Sequence, residues 1–273
     1  MEFDEIGRRG LVLLGCGRMG SALLAGWLAQ GLAPGAVWVV EPAPSDWLRA
    51  QGVRLNAPLP GAPAVALLAV KPQMMGAALP QLAGLGAGTL VLSIAAGIPL
   101  ASFEASFGEG TPVVRAMPNT PAAVGRGITA LVGNRAAGEA GLALAEGLMA
   151  AVGETVRLES EAQIDAVTAV SGSGPAYVFH MIEALAAAGV AEGLPGELAM
   201  RLARATVCGA GELAYRSEVP AAQLRIDVTS PAGTTAAALA VLMDEGAGLG
   251  PLMRRAVAAA AARGRELGRE AGA

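Results

Sequence analysis

Apolar residues form short continuous runs in the first half of the chain. A strand of a parallel sheet is covered on both faces, so its residues read as an unbroken apolar stretch. The runs are Gly10–Leu14, Val37–Val40, Val65–Val70, Thr89–Ala95, Val113–Met117 and Ile128–Val132. Helix-length segments separate most of them. The alternation predicts an α/β fold with a mostly parallel, doubly wound sheet of Rossmann type and right-handed crossovers.

The pattern changes after about Glu159, where the strand signals stop and alanine-rich helical segments begin. The predicted helices cover about Glu161–Val190, Pro195–Ser217, Thr234–Glu245 and Leu249–Glu270. We therefore expect an α/β domain at residues 1–160 and an all-α domain at residues 161–273. The Ala and Gly residues of the predicted helices let these helices approach closely, which suits an interlocked helical dimer as well as a monomer core.

A glycine-rich turn follows the first apolar run. The hexapeptide GCGRMG stands directly after a predicted strand and before the helix-like SALLAGWLAQG. Gly15 permits the tight turn, Gly17 lets a pyrophosphate approach the backbone, and Gly20 lets the helix pack on the strand. The second strand ends in Glu41, 21 residues after Gly20, where an acid accepts hydrogen bonds from an adenosine ribose. Together these features predict dinucleotide binding; the alternative is a glycine turn in another α/β protein.

Ligands of such sheets lie at the carboxyl ends of the strands. The sequence places there the segments Gly15–Gly20, Glu41, Val70–Pro72, Ala95–Gly97 and Met117–Asn119. Lys71 is the only lysine among 19 Lys and Arg residues. A local role for this residue and a chance surface lysine both stay open.

A second candidate site stands before a helix in the second half. The sequence SPAGTT, Ser230–Thr235, offers free N–H groups at a helix start, where the helix dipole favours an anion. No basic cluster accompanies it, which favours the carboxylate of a small substrate over a phosphate. A different interruption, SGSGPAY at Ser171–Tyr177, predicts a helix kink or a helix–helix turn.

Composition narrows the class of function. The formal charge is −4, which argues against nucleic acid as a partner, and no run of about twenty apolar residues lacks a Gly, Pro or charge, so no membrane is expected. Cys16, Cys208 and the single His180 provide no metal-ligand spacing and no disulfide framework. No carboxylate stands beside His180 in the sequence, so a structural or surface role is favoured over proton donation. The acidic N-terminus without a hydrophobic signal core predicts a cytoplasmic protein.

Taken together, the motifs resemble one family, the pyrroline-5-carboxylate reductases, which catalyse the last step of proline synthesis. The resemblance runs over nearly the whole chain through LLGCGRMGSALLAG, LAVKPQ, SIAAGI, RAMPNTPAAVG, AVSGSGPAYVF and LRIDVTSPAGTTAAAL. It implies a dinucleotide-binding domain at residues 1–160 and a helical dimerisation and substrate-binding domain at residues 161–273. It also implies NADPH or NADH as cofactor, 1-pyrroline-5-carboxylate as substrate, and homodimers that associate into larger rings, with each active site between two subunits.

The resemblance also implies residue roles. The cofactor site would comprise Gly15, Cys16, Gly17, Arg18, Met19, Gly20, Glu41, Asn56, Val70, Lys71, Pro72, Ala95, Ala96 and Gly97. The substrate site would comprise Glu218, Asp227, Ser230, Pro231, Ala232, Gly233, Thr234 and Thr235. Thr235 and Lys71 are the candidate catalytic residues, with the Thr235 hydroxyl approaching the ring nitrogen.

Two residues depart from the family's pattern. The usual S-P-G-G reads S-P-A-G here, and because alanine at positive φ is costly, we expect the loop not to need positive φ at Ala232. Asp227 stands where some members have asparagine, which leaves its contact open. Glu41 bears on the cofactor preference, because its negative charge repels a 2′-phosphate. Because Asn56 is only a weak phosphate contact, we expect NADH to be used at least as well as NADPH.

The implied substrate is a cyclic imine with one carboxylate. A protonated imine is already an electrophile, so it needs a positioned hydride more than a strong acid. A β-hydroxy-acid dehydrogenase built on the same plan would normally use a lysine of the helical domain, and this chain has none after Lys71. Another imine-reducing oxidoreductase and a non-catalytic dinucleotide-binding protein are the remaining alternatives.

Overall fold

A computed structural model describes residues 3–85 and 88–272, without the side chains of residues 270–272. In these residues eight strands form one sheet with the order β3-β2-β1-β4-β5-β6-β7-β8. All neighbouring strands are parallel except β6 and β7. The strands are β1 Leu11–Leu14, β2 Val37–Val40, β3 Arg54–Leu55, β4 Val65–Leu68, β5 Leu90–Ser93, β6 Val113–Met117, β7 Gly127–Gly133 and β8 Gly153–Arg157.

Helices cover both faces of the sheet and make up most of the second half. The helices of the first half are α1 Asp4–Arg9, α2 Arg18–Ala29, α3 Asp46–Arg49, α4 Met75–Ala78, α5 Leu100–Phe107 and α6 Gly138–Ala150. The later helices are α7 Ile164–Val167, α8 Gly174–Ala191, α9 Gly196–Arg216, α10 Ala221–Asp227, α11 Thr234–Leu242 and α12 Leu249–Gly272.

Strand β1 lies at the centre of the first half because its side chains are buried on both faces. Leu11 and Leu13 pack in one core layer, which includes Trp27 of α2. Val12 and Leu14 pack in the opposite layer, which includes Phe103 of α5. This two-sided burial explains why β1 reads as an unbroken apolar run.

The direction of the strand order reverses between β1 and β4. The chain runs from β1 outward to β2 and β3, then returns to place β4 on the other side of β1. In open α/β sheets the ligand crevice lies at the carboxyl ends of the strands at such a reversal. The glycine turn after β1 and the segment after β4 therefore share the crevice position.

The α/β class and the six predicted strands are confirmed, with two additions. Strand β3 has only two residues and β8 is largely polar, so neither produces an apolar run. The helix predicted over 161–190 is divided into α7, a π-helical turn at Thr168–Gly172, and α8. Hydroxyl groups accompany the turn: Thr168 Oγ1 donates to Ile164 O and Ser171 Oγ donates to Val167 O.

Two compact units can be distinguished. One contains residues 1–172 together with 260–273, and the other contains residues 173–259. The predicted domain boundary at 160/161 lies before the first division between these units, and the assignment of residues 1–160 and 161–273 to two functional domains stays a prediction.

The second half exposes much apolar surface. The helical segment Glu161–Ala191 is long and apolar enough to cross a membrane by length and composition, and only 6% of its most apolar window is buried. Apolar side chains of α8, including Val178, Phe179 and Leu185, are exposed in the single chain. Such a surface marks either a membrane or a protein interface.

Candidate active site

The three glycines of the turn after β1 have different surroundings. Gly15 has φ +86°, and a Cβ atom added there would lie 2.8 Å from the carbonyl oxygen of Ala69. A Cβ atom added at Gly20 would lie 2.5 Å from the carbonyl oxygen of Gly15. One added at Gly17 would meet no atom within 4 Å. Gly15 and Gly20 are thus required by close packing, whereas Gly17 faces the space where a pyrophosphate would lie.

Helix α2 presents its N-terminus beside this turn. Its N-cap residue is Gly17, which supplies no side-chain hydrogen bond to the first amides. Those amides and the positive end of the helix dipole suit an anion. The geometry fits a dinucleotide pyrophosphate over Cys16, Arg18 and Met19.

A cleft of about 390 Å³ opens at the same edge of the sheet. It brings together five predicted cofactor residues: Gly15, Gly17, Glu41, Val70 and Lys71. They come from the carboxyl ends of β1, β2 and β4, as expected for neighbouring parallel strands. The backbone carbonyl of Lys71 accepts a hydrogen bond from Met74 N–H at 2.8 Å, whereas its exposed side chain makes no hydrogen bond or ion pair with any other residue that the structure describes.

Glu41 binds the glycine turn through its carboxylate. Its Oε2 accepts a hydrogen bond from Cys16 N–H at 2.8 Å, and its Oε1 accepts one from Ala43 N–H at 3.1 Å. Asn56, at φ +49°, holds the backbone of Glu41 from the next strand end. Its Oδ1 accepts from Glu41 N–H at 2.9 Å and its Nδ2 donates to Glu41 O at 3.0 Å. Asn56 therefore positions Glu41 with its Oδ1 and one of the two hydrogens of its Nδ2.

Cys16 is buried within the turn. Burial raises the pKa of its thiol, the hydrogen bond with Ser21 opposes this shift, and the charge of Glu41 adds to it. Its Sγ lies 3.5 Å from Ser21 Oγ, which donates to Cys16 O. The thiol is thus kept neutral and helps to close the turn. The described residues contain no group of three or more His, Cys, Asp or Glu side chains able to hold a metal ion.

The Ala95–Gly97 turn is not part of the 390 Å³ cleft. Gly97 instead borders a second cavity of about 400 Å³, beside Arg115 and Glu161. Pro72 follows Lys71 and begins a short 3₁₀ turn. The predicted nicotinamide residues therefore lie after neighbouring strands but do not line one continuous cavity.

The sequence did not indicate several cleft residues, among them Met74, Ala77 and Gln81. They follow the strand-end sequence VKPQ in the segment that contains α4. Their spacing of three and four residues is that of one helix face. This spacing, directly after a predicted ligand-facing strand end, is the signal that could have found them.

The predicted substrate turn lies in the other unit and begins α11. Gly233 is the N-cap residue of α11 and provides no side-chain cap. Its own N–H donates to Ser230 O at 3.1 Å, which closes the turn. Thr234 and Thr235 are the first two helical residues, and the Thr235 hydroxyl has no hydrogen bond within the described part of the chain. A helix start with uncapped amides and a free hydroxyl can bind a carboxylate.

The expectation about Ala232 is wrong. Ala232 has φ +57°, the left-handed conformation that the more usual glycine adopts without cost. Gly233 N–H donates to Ser230 O at 3.1 Å and closes a four-residue turn with Pro231 second and Ala232 third; a type II turn of this kind requires positive φ at its third residue. This chain therefore retains the turn despite the alanine.

The remaining predicted residues are exposed in the single chain. Asp227 ends α10 and accepts a hydrogen bond from Gln223 Nε2 at 2.7 Å, while Glu218 lies in the segment between α9 and α10. His180 does have a carboxylate partner, contrary to expectation. Its Nδ1 lies 3.2 Å from Glu183 Oε2, one helical turn along α8. The pair is exposed.

Two segments of the chain match known protein families. Residues 10–97 match the family described as NADP oxidoreductase, coenzyme F420-dependent, and residues 161–267 match the family described as pyrroline-5-carboxylate reductase dimerisation. A pyrroline-5-carboxylate reductase of Pseudomonas aeruginosa is 42% identical over 96% of this chain and 98% of its own length.

Solved structures of similar fold carry the same family name. A pyrroline-5-carboxylate reductase from Coxiella burnetii has a TM-score of 0.88 at 36% identity, covering 95% of this chain and 98% of that one. The Plasmodium falciparum pyrroline carboxylate reductase, solved with NADP bound, has a TM-score of 0.79 at 28% identity, covering 96% and 99%.

The sheet, the glycine turn and these matches define an NAD(P)-dependent oxidoreductase. More closely, the chain belongs to the pyrroline-5-carboxylate reductase family. The match to the dimerisation family also supports a homo-oligomer.

Proposed function

We propose that this protein reduces 1-pyrroline-5-carboxylate to L-proline with NAD(P)H. The observation that carries the proposal is the 42% identity to a pyrroline-5-carboxylate reductase over 96% of the chain. The uncapped start of α11 supports it, because a substrate with one carboxylate needs such a site.

The residues of the Ser230–Thr235 turn bind and orient the substrate. The free amides at the start of α11 hold its carboxylate, and the Thr235 hydroxyl lies near the ring nitrogen. Glu218 and Asp227 complete the substrate site. No strong acid is required, because a protonated imine already accepts an electron pair at carbon.

The strand-end residues hold the cofactor. When bound, the reduced nicotinamide supplies a hydride to the carbon of the C=N bond. Gly15–Gly20 and the N-terminus of α2 take the pyrophosphate, Glu41 takes the ribose hydroxyls, and Val70, Lys71 and Pro72 lie on the nicotinamide side with Ala95–Gly97. Lys71 adds a positive charge on the nicotinamide side of the cofactor site.

Assembly and location complete the proposal. Residues 1–160 serve as the dinucleotide domain, and residues 161–273 as the dimerisation and substrate domain. Dimers associate into larger rings, and each active site uses residues of two subunits. The protein works in the cytoplasm, with neither nucleic acid nor a membrane as partner, because its apolar helical surface is covered by another copy.

A steady-state assay tests the activity. Purified protein is mixed with 1-pyrroline-5-carboxylate and with NADH or NADPH, and absorbance of the reduced nicotinamide is followed. We expect substrate-dependent oxidation with at least one cofactor. Folded protein that oxidises neither would refute the proposal.

A further inference from the structure

The loop that follows β5 is held at both ends by side chains. At its start, Ser93 Oγ accepts a hydrogen bond from Ala95 N–H at 3.3 Å. At its end, Glu161 Oε1 accepts one from Leu100 N–H, the first residue of α5, at 2.7 Å. The Ala95–Gly97 turn lies between these two attachments.

Glu161 is itself fixed by a buried cation. Arg115 Nη1 lies 2.5 Å from the same Oε1 atom of Glu161, and the Arg115 side chain is only 7% exposed. Arg115 stands on β6 directly opposite Ser93 in the β5–β6 ladder. A buried guanidinium requires a partner, since an uncompensated buried charge is strongly unfavourable. Arg115 therefore holds the carboxylate that holds the end of the loop.

The centre of the loop is restricted as well. Gly97 has φ +77°, and a Cβ atom there would lie 3.5 Å from backbone atoms of Leu267 and Gly268 in the last part of α12. Ala95 is buried against the core layer that contains Phe103. Side chains thus bind the loop at both ends, and its centre lies beside α12 and the core.

We propose that Arg115 and Glu161 are positioning residues that fix the Ala95–Gly97 turn against the nicotinamide. This inference rests on the proposed function, because that function puts the turn beside the reacting ring. Hydride transfer depends on near-attack geometry, and a displacement of about 1 Å can cost on the order of 100-fold in rate. Neither side chain touches the cofactor or the substrate in this account.

The test compares binding of the whole cofactor with binding of a part of it. Calorimetry measures the Kd of NADPH and of 2′-phospho-ADP-ribose, which lacks the nicotinamide. Glu161→Leu removes the acceptor for both Leu100 N–H and Arg115. We expect it to weaken NADPH binding by roughly three- to tenfold, the effect of a lost hydrogen bond, and to leave the fragment within about twofold. Its kcat should fall by about tenfold or more.

Matched variants separate positioning from folding. Glu161→Gln keeps an oxygen acceptor and should restore most of the nicotinamide-dependent binding. Ser93→Ala releases the other end of the loop and should give the same signature if Glu161→Leu fails to fold. Arg157→Met removes an exposed pair with Glu139 and Glu146 and should change neither Kd.

The outcomes are distinct. The positioning role would be overturned if Glu161→Leu weakened the binding of NADPH and of the fragment equally. It would also be overturned if the two Kd values and kcat all stayed unchanged. Wild-type protein that binds both ligands but reduces no 1-pyrroline-5-carboxylate would refute the proposed function. In that case the ratio of the two Kd values still decides whether the turn is positioned by Glu161.

Discussion

The carboxylate of Glu41 accepts a hydrogen bond from the backbone amide of Cys16 at 2.8 Å. This contact joins the end of β2 to the glycine turn after β1. The second carboxylate oxygen is bound to Ala43 N–H, so the side chain is fixed at the wall of the cofactor cleft. A negative charge in that position is unfavourable for a phosphate placed nearby.

The first prediction concerns cofactor preference. We expect kcat/KM with NADH to be at least equal to that with NADPH, because a 2′-phosphate would meet the Glu41 charge. Glu41→Ser should shift the ratio toward NADPH, and Glu41→Gln separates loss of charge from loss of size. The ratio is measured for both cofactors in each protein. A ratio unchanged by both substitutions would mean that Glu41 does not face the ribose.

The second prediction concerns Thr235. Thr235→Ala should lower kcat/KM for 1-pyrroline-5-carboxylate by roughly three- to tenfold, the value of one neutral hydrogen bond of about 0.5–1.5 kcal/mol. The Kd of NADPH should stay near wild type, and Thr235→Ser should retain most of the activity. If Thr235→Ala instead lowers only Tm and leaves kcat/KM intact, the residue merely supports the helix start.

The third prediction concerns the backbone at Ala232. Ala232→Gly should raise the free energy of unfolding by about 0.5 kcal/mol, since relief of the left-handed conformation exceeds the added freedom of the unfolded chain. Ala238→Gly, within α11, should lower it by roughly 0.5–1 kcal/mol. Urea unfolding at one protein concentration compares them. Equal destabilisation by both would show that Ala232 is not left-handed in solution.

The fourth prediction concerns the apolar face of α8. Phe179→Asp should weaken the homo-oligomer, because Phe179 is 62% exposed in the single chain and lies within the dimerisation match. Val124→Asp is the control, since Val124 is 76% exposed but lies outside that match. Light scattering gives the mass of each. An unchanged mass for Phe179→Asp would remove this face from the interface.

Much of the architecture could be predicted because buried strands leave unbroken apolar runs in the sequence. The run at Gly10–Leu14 predicted a buried parallel strand, and Gly15 and Gly20 predicted the turn. Polar strands such as Gly153–Arg157 contain no apolar run and could not be predicted in this way. The Arg115–Glu161 pair joins residues 46 positions apart, and only the folded sheet brings them together. The left-handed Ala232 was missed because its neighbours, not its own preference, set its conformation.

Following the transferred hydride into the product tests the proposed reaction directly. The enzyme is given 1-pyrroline-5-carboxylate and NADPH or NADH carrying deuterium at the transferred position, and the product is analysed by mass spectrometry. We expect L-proline that carries the deuterium on the former C=N carbon. Proline without the label, or no proline from folded protein with either cofactor, would contradict it.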